Sequence, residues 1–247
     1  MINKILILAT LLTASLNDSP TISIGTPENL ASVEVTAVKT EGPTSAEKID
    51  KLYESFVSKN VTMPEKAVFQ NGMTGYQKLV DEGEIKNEIL TIIDFGLPST
   101  EKRMWILDMT DQKVLYNTYV AHGQNTGGNL ATDFSNTPNS HQSSLGFYVT
   151  AETYYGKNGL SLFIDGKEEG FNSNARQRYV VMHGADYATE NFIERVGRLG
   201  RSYGCPAVPT KLAKGIINTV KGGSALFIYS PSKAYLSQSE YLNGTTV

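Results

Sequence analysis

The residues best suited to covalent chemistry are the single cysteine, Cys205, and a histidine that precedes it by 22 positions, His183. A thiol of ordinary pKa is only about a few per cent ionised at neutral pH, so an imidazole that takes its proton makes it a nucleophile. Gly204 lets the backbone beside the thiol approach a bound carbonyl closely. These residue types predict a cysteine acyl-transfer site, with Cys205 as nucleophile and His183 as general base.

The segment around the cysteine also offers groups that could stabilise charge. The backbone N–H groups of Tyr203, Gly204 and Cys205 form the predicted oxyanion hole. Arg201 and Arg198 are candidates to bind a substrate carboxylate, because guanidinium matches its geometry, although a surface ion pair explains them equally well. His122 precedes a glycine and is the alternative base or a substrate-groove residue.

The same side chains allow two competing interpretations. A lone cysteine is often an inert buried residue, but the polar residues around Cys205 argue against an apolar pocket. A zinc site could be built from Cys205, His183 and either His122 or His141, although this spacing matches no recognised zinc signature. The interpretation favoured here requires no metal and no cofactor.

Composition and the amino terminus restrict the function classes. The net charge is −3 and no basic cluster recurs, which argues against a nucleic-acid partner. Residues 1–15 combine Lys4, an apolar run and small residues, the pattern of a secretory signal peptide, and the run is too short to span a membrane. We therefore expect an exported protein, periplasmic or associated with the cell wall. An unpaired cysteine in an exported protein indicates a reactive thiol.

The pattern along the chain predicts a helical beginning and a mainly β remainder. Residues 16–43 predict a linker or arm, and residues 44–87 a helical segment packed on the core, opening with a capping box at Thr44 and Glu47. Residues 88–247 predict the catalytic domain, in which a long polar loop covers 122–144. Strands are predicted at 89–95, 103–109, 113–121, 145–150, 160–164, 178–182 and 225–229, and helices at 189–196 and 209–220.

The motifs resemble those of a known family. His183-Gly184 followed by Ser202-Tyr203-Gly204-Cys205 resembles the signature of the L,D-transpeptidases, the YkuD-like cysteine enzymes that cross-link peptidoglycan. The likeness covers roughly residues 89–229 and extends to further motifs, namely Ala121-His122-Gly123, Phe134-Ser135-Asn136, Ser143-Ser144-Leu145-Gly146, Gly170-Phe171-Asn172 and the stretch 197–202. It implies a mainly β (α+β) fold, a β-sandwich or barrel core with N-terminal helices and a C-terminal helix.

The resemblance also implies a reaction. The Cys205 thiolate would attack the carbonyl at the L-centre of the diamino acid in a tetrapeptide stem, release the terminal D-Ala and form a thioester. The side-chain amine of a second stem would resolve it into a 3→3 cross-link. His183 carries over as the base, the Gly184 carbonyl as the group that orients it, and Ser202 as the hydroxyl of the motif.

One residue departs from the pattern. Many members have histidine where this chain has Tyr203, which puts any role of that second imidazole in doubt. Two alternatives stay open from the sequence: an L,D-carboxypeptidase that trims stems with water as acceptor, and a non-catalytic cell-wall binding module. Retention of both thiol and imidazole argues against the latter.

Overall fold

The structure, a computed structural model, describes residues 44–59 and 61–244. The predicted signal peptide at 1–15 and arm at 16–43 lie outside the described residues. The helices are α1 Ser45–Val57, α2 Lys66–Asp81, α3 Glu190–Val196, α4 Thr210–Val220, α5 Lys233–Gln238 and α6 Glu240–Asn243. The strands are β1 Ile89–Asp94, β2 Met104–Asp108, β3 Lys113–Thr118, β4 Gly146–Gly156, β5 Gly159–Gly166, β6 Val181–Ala185, β7 Ala207–Pro209 and β8 Ala225–Tyr229.

The eight strands form one mixed sheet in the order β3-β2-β1-β8-β4-β5-β6-β7. The pairs β1–β8 and β6–β7 are parallel, and the other neighbours are antiparallel. Just after β3, Ala121 forms a bridge with Ala207 of β7, which joins the two ends of the sheet. The result is a nearly closed barrel, which confirms the predicted mainly β (α+β) core with its accompanying helices.

Helix α2 packs on strands β1 and β8, and helix α1 packs on α2. The capping box of α1 is present, with Thr44 and Glu47 bonded to each other's backbone. In α2, Gly72 and Gly75 allow close contact, since a Cβ on Gly75 would lie 2.1 Å from the ring of Phe147. The glycines that weaken α2 as an isolated helix therefore bring it close to the sheet. The predicted domain boundary at residue 88 stays a prediction.

Several elements differ from the sequence-based expectation. β6 begins at Val181, so the predicted strand at 178–182 is wrong for residues 178–180, where Tyr179 has a positive φ of 54°. β7 has only three residues, and α5 and α6 lie in a tail where no pattern indicated structure. Within the described residues, no helix is both long enough and apolar enough to cross a membrane.

Candidate active site

Pairing between β6 and β7 brings the histidine and the cysteine into one groove. His183 is in register with Ala207, and its N–H lies 3.4 Å from the carbonyl oxygen of Pro206. Cys205 is therefore at the end of the segment that leads into β7, beside the strand that carries His183. Both side chains line an open groove with a volume of about 430 Å³. The tertiary structure thus brings together two residues that are well separated in sequence.

The Cys205 thiol is half-buried against the backbone that leads into β6. Its Sγ receives a hydrogen bond from the Val181 N–H at 3.4 Å and donates to the Tyr179 carbonyl at 3.6 Å. Burial raises the pKa of the thiol, while the Val181 N–H and the positive charge of Arg178 oppose that rise. In the resting protein the sulfur is accordingly protonated and needs a base.

The imidazole of His183 is held in a form that can serve as that base. Its Nδ1 lies 2.9 Å from the Gly184 carbonyl oxygen, which can only accept, so Nδ1 carries the proton and Nε2 has the free lone pair. Burial lowers the pKa of His183, and the Gly184 hydrogen bond partly opposes this. Neutral imidazole is thus the resting form at neutral pH.

The thiol and the imidazole are not yet hydrogen-bonded in this structure. Among the described residues, the sulfur's hydrogen bonds go to Tyr179 and Val181, and none joins it to His183. Catalytic hydrogen bonds in apo enzymes are often long and tighten only with substrate. Direct proton transfer from Cys205 therefore requires the sulfur and the imidazole to come within hydrogen-bonding distance when substrate binds.

Ser202 organises the turn that presents the cysteine. Its Oγ donates to the Cys205 carbonyl at 2.6 Å and accepts from the Gly204 N–H at 3.1 Å, while its own N–H donates to the His122 carbonyl. The hydroxyl thus both donates and accepts a hydrogen bond within the loop. Its position indicates a structural role in shaping the turn rather than in proton transfer.

This turn changes the predicted oxyanion hole. The Gly204 N–H is already bonded to Ser202, so its predicted part in the oxyanion hole does not fit this structure. The N–H groups of Tyr203 and Cys205 donate to no protein atom in the part of the chain that the structure describes. These two N–H groups remain available to a developing oxyanion, and their role in an oxyanion hole stays a prediction.

Gly204 occupies a position that requires glycine. Its φ is +116°, and a Cβ there would lie 2.7 Å from the Gln142 carbonyl oxygen. The Gly204 carbonyl in turn accepts a hydrogen bond from Ser143 Oγ at 3.2 Å. The long polar loop is therefore packed directly against the backbone beside the nucleophile, and Ser143 helps to hold it there.

Replacing Gly204 with alanine is expected to destabilise the protein by about 3 kcal/mol, because backbone strain and a backbone clash act together. Gly83→Ala is the matched control, since Gly83 has a φ of +72° and a Cβ added there would have nothing within 4 Å. We expect Gly83→Ala to lower the free energy of unfolding by about 1 kcal/mol. Urea unfolding of both variants measures the difference, and equal losses would contradict the close approach of Gln142.

The family follows from the sequence match. A profile of the L,D-transpeptidase catalytic domain matches residues 60–229, more than half of the chain. The chain belongs to this family. No protein of curated function shows significant sequence similarity to it.

Three solved structures of L,D-transpeptidases are similar. The protein from Mycobacterium smegmatis is 13% identical with a TM-score of 0.35, and the match covers 57% of this chain and 58% of that one. The Enterococcus faecium protein is 16% identical, TM-score 0.34, covering 59% and 50%. The Xylanimonas cellulosilytica protein is 14% identical, TM-score 0.33, covering 76% and 94%. The chain thus spans about half the length of the first two relatives. The family assignment rests on the sequence match.

His122 is buried rather than exposed to the groove. It is 1% exposed, and its Nδ1 accepts a hydrogen bond of 2.7 Å from the guanidinium of Arg103. Burial and the Arg103 charge lower the pKa of His122 to about 4. Because its lone pair is occupied, His122 cannot serve as base, and its burial argues against the predicted substrate contact.

The two arginines predicted to bind substrate differ in position. Arg201 lines the groove while donating from Nη1 to the carbonyls of Gln124 and Gly127. Arg198 does not line it, and its Nη1 donates to the Leu199 carbonyl. The structure is therefore consistent with substrate binding by Arg201 and does not support it for Arg198.

Sequence reasoning missed part of the groove. Lys157 and Asn158 form the turn of the β4–β5 hairpin and line the groove opposite the cysteine loop, together with Tyr187 and Gln124. The two glycines that flank this turn, at 156 and 159, signal a tight hairpin. That signal predicts a turn, but not that its lysine lies near Cys205.

Tyr203, where the transpeptidase pattern often has histidine, is 69% exposed and stacked on His141 with ring centroids 4.4 Å apart. Gln124 Nε2 lies 3.0 Å from His141 Nδ1, so the imidazole has a defined position. This differs from the expectation that His141 is simply solvated. Within the described residues, no group of three potential metal ligands is present, so nothing supports the zinc alternative.

Proposed function

We propose that this protein is a peptidoglycan L,D-transpeptidase that forms 3→3 cross-links through a thioester on Cys205. The observation that carries the proposal is the shared groove of Cys205 and His183, with the His183 Nε2 lone pair free because Nδ1 is bonded to Gly184. A protonated thiol and a neutral imidazole are the starting pair for nucleophilic catalysis assisted by a general base.

The acylation step transfers the Cys205 proton to His183 Nε2 as the sulfur attacks the carbonyl carbon at the L-centre of the donor stem. The developing oxyanion accepts hydrogen bonds from the Tyr203 and Cys205 N–H groups. The bond from that carbon to the D-Ala nitrogen then breaks, and the leaving amine takes the proton from His183. D-Ala departs and a thioester remains.

The second step transfers the acyl group to an acceptor. The side-chain amine of another stem attacks the thioester carbon and loses a proton to His183. The carbon–sulfur bond breaks, the thiolate regains the proton, and an amide cross-link is released. Lys157 and Arg201 place two positive charges on the groove walls, which suits the carboxylates of stem peptides.

Because stem peptides are cross-linked outside the cytoplasm, the proposal includes export through residues 1–15 and a periplasmic or cell-wall location. Fractionation of cells that produce the full chain, with detection of its mature mass, tests this part. Recovery of uncleaved protein in the cytoplasm alone would contradict it.

Incubation of the purified protein with disaccharide-tetrapeptide stems tests the reaction. We expect free D-Ala and cross-linked dimers, identified by mass spectrometry as 3→3 linked. Tripeptide stems without dimers would instead show that water is the acceptor, which is L,D-carboxypeptidase activity. Binding of peptidoglycan with neither product would favour a non-catalytic cell-wall module.

A further inference from the structure

The guanidinium of Arg178 is fixed near the nucleophile by four hydrogen bonds from its two terminal nitrogens. All four of its terminal N–H groups donate to oxygen atoms of the long polar loop. The acceptors are the Ser135 carbonyl at 2.6 Å, Ser144 Oγ at 2.6 Å, Ser140 Oγ at 3.1 Å and the Gln142 carbonyl at 2.6 Å. A half-buried side chain held by four hydrogen bonds has little rotational freedom.

The positive charge of Arg178 is not neutralised by its partners. Carbonyl and hydroxyl oxygens are uncharged, and among the described residues no carboxylate forms an ion pair with Arg178. Arg176, two residues earlier, is different, since it forms ion pairs with Glu152 and Asp165, both at 2.6 Å. Burial lowers the pKa of Arg178, and nearby Tyr148 and Cys205 oppose this.

This uncompensated cation lies against the backbone of Gly204, the residue before the nucleophile. One terminal nitrogen of Arg178 lies 3.4 Å from the position that a Cβ on Gly204 would occupy. The Cys205 sulfur is bonded to Tyr179 and Val181, the backbone that directly follows Arg178. The other ionisable groups that line the groove with the thiol are His183, Tyr187, Tyr203, Lys157 and Arg201.

We infer that Arg178 is a positioning residue whose fixed positive charge stabilises the Cys205 thiolate while its hydrogen bonds hold the loop against Gly204. The inference rests on the proposed function, in which that thiolate is the attacking species. Burial in a groove disfavours a sulfur anion, and a fixed neighbouring cation offsets this penalty. Lys157 and Arg201 are exposed side chains of the groove, and Arg201 is held through one terminal nitrogen only. Arg178 is half-buried and donates from both terminal nitrogens.

The test is the pH dependence of Cys205 alkylation by iodoacetamide in the full chain, where the single cysteine makes the readout specific. For Arg178→Gln we expect the thiol pKa to rise by about one unit, since a fixed charge near the sulfur is lost. Arg178→Lys keeps the charge and is expected to raise the thiol pKa by less than about a third of the rise in Arg178→Gln. Arg176→Gln, the matched control, is expected to leave it unchanged.

Two results would overturn the inference. The first is an unchanged thiol pKa in folded Arg178→Gln. The second is an equal rise of the thiol pKa in Ser144→Ala, because that result would assign the effect to the loop alone. This variant keeps the charge and removes two hydrogen bonds of the loop, the one from Arg178 to Ser144 Oγ and the one from Ser144 Oγ to the Ser135 carbonyl. Should Arg178→Gln not fold, Arg178→Lys decides, since a rise of a full unit in that folded variant would contradict a role of the charge.

The alkylation assay requires no turnover, so its outcome is separate from that of the proposed function. A protein that forms no cross-links yet shows the Arg178 effect would retain the inference for the thiol and lose the reaction. Cross-linking by wild type, with no change of the thiol pKa in Arg178→Gln, would support the proposed reaction and contradict the inference about Arg178.

Discussion

Replacing Cys205 with alanine is expected to abolish both cross-linking and D-Ala release, with a loss on the order of 10⁴-fold or more, because no other side chain can form the acyl-enzyme. The fold should survive. The thiol is half-buried and makes two long sulfur hydrogen bonds, so its removal should cost about 1 kcal/mol or less. The measurement is mass spectrometry of stem products, with unfolding curves for both proteins.

Cys205→Ser is the companion variant, because it keeps the size of the side chain and the groove. A hydroxyl is a far weaker nucleophile than a thiolate, so acylation should stall while stem binding persists. Intact mass of wild type mixed with a donor stem should show the added acyl group, and neither variant should. Normal cross-linking by Cys205→Ala would remove the catalytic assignment altogether.

Replacing His183 with asparagine is expected to reduce turnover by about 10²- to 10⁴-fold, the usual contribution of a general base. An asparagine amide can still donate to the Gly184 carbonyl, which now holds Nδ1 at 2.9 Å, but offers no basic nitrogen at the position of Nε2. Steady-state rates of D-Ala release measure the loss. His141→Asn is the control, since the His141 imidazole is half-buried and stacks on Tyr203, and its loss should change the rate only a few-fold.

The pH profile supplies an independent check on His183. Burial lowers its pKa from 6.5, so the neutral, proton-accepting form should dominate at pH 7 and be lost only as the pH falls through that lowered value. We therefore expect wild-type activity to fall on the acid side below pH 6.5 and this limb to be absent in His183→Asn. An unchanged acid limb in the variant would assign it to another group.

The amino-acid sequence by itself determined the family, predicted the candidate catalytic pair and indicated most of the secondary structure. Cys205 and His183 are recognisable from residue type, spacing and motif, and apolar runs bounded by turn residues mark β1, β2 and β8. These signals are local, since strand propensity, capping and turn chemistry depend on near neighbours in the chain. The prediction of the capping box at Thr44 is confirmed for the same reason.

What only the tertiary structure decided is which distant groups meet. His122 and His183 both precede glycine, yet one is bonded to buried Arg103 and the other lines the groove with the thiol. Arg178 and Lys157 reach the site from segments whose local pattern says nothing of Cys205. The three-residue strand β7 exists because β6 and Ala121 flank it. Such contacts depend on long-range packing, burial and charge, which no local pattern contains.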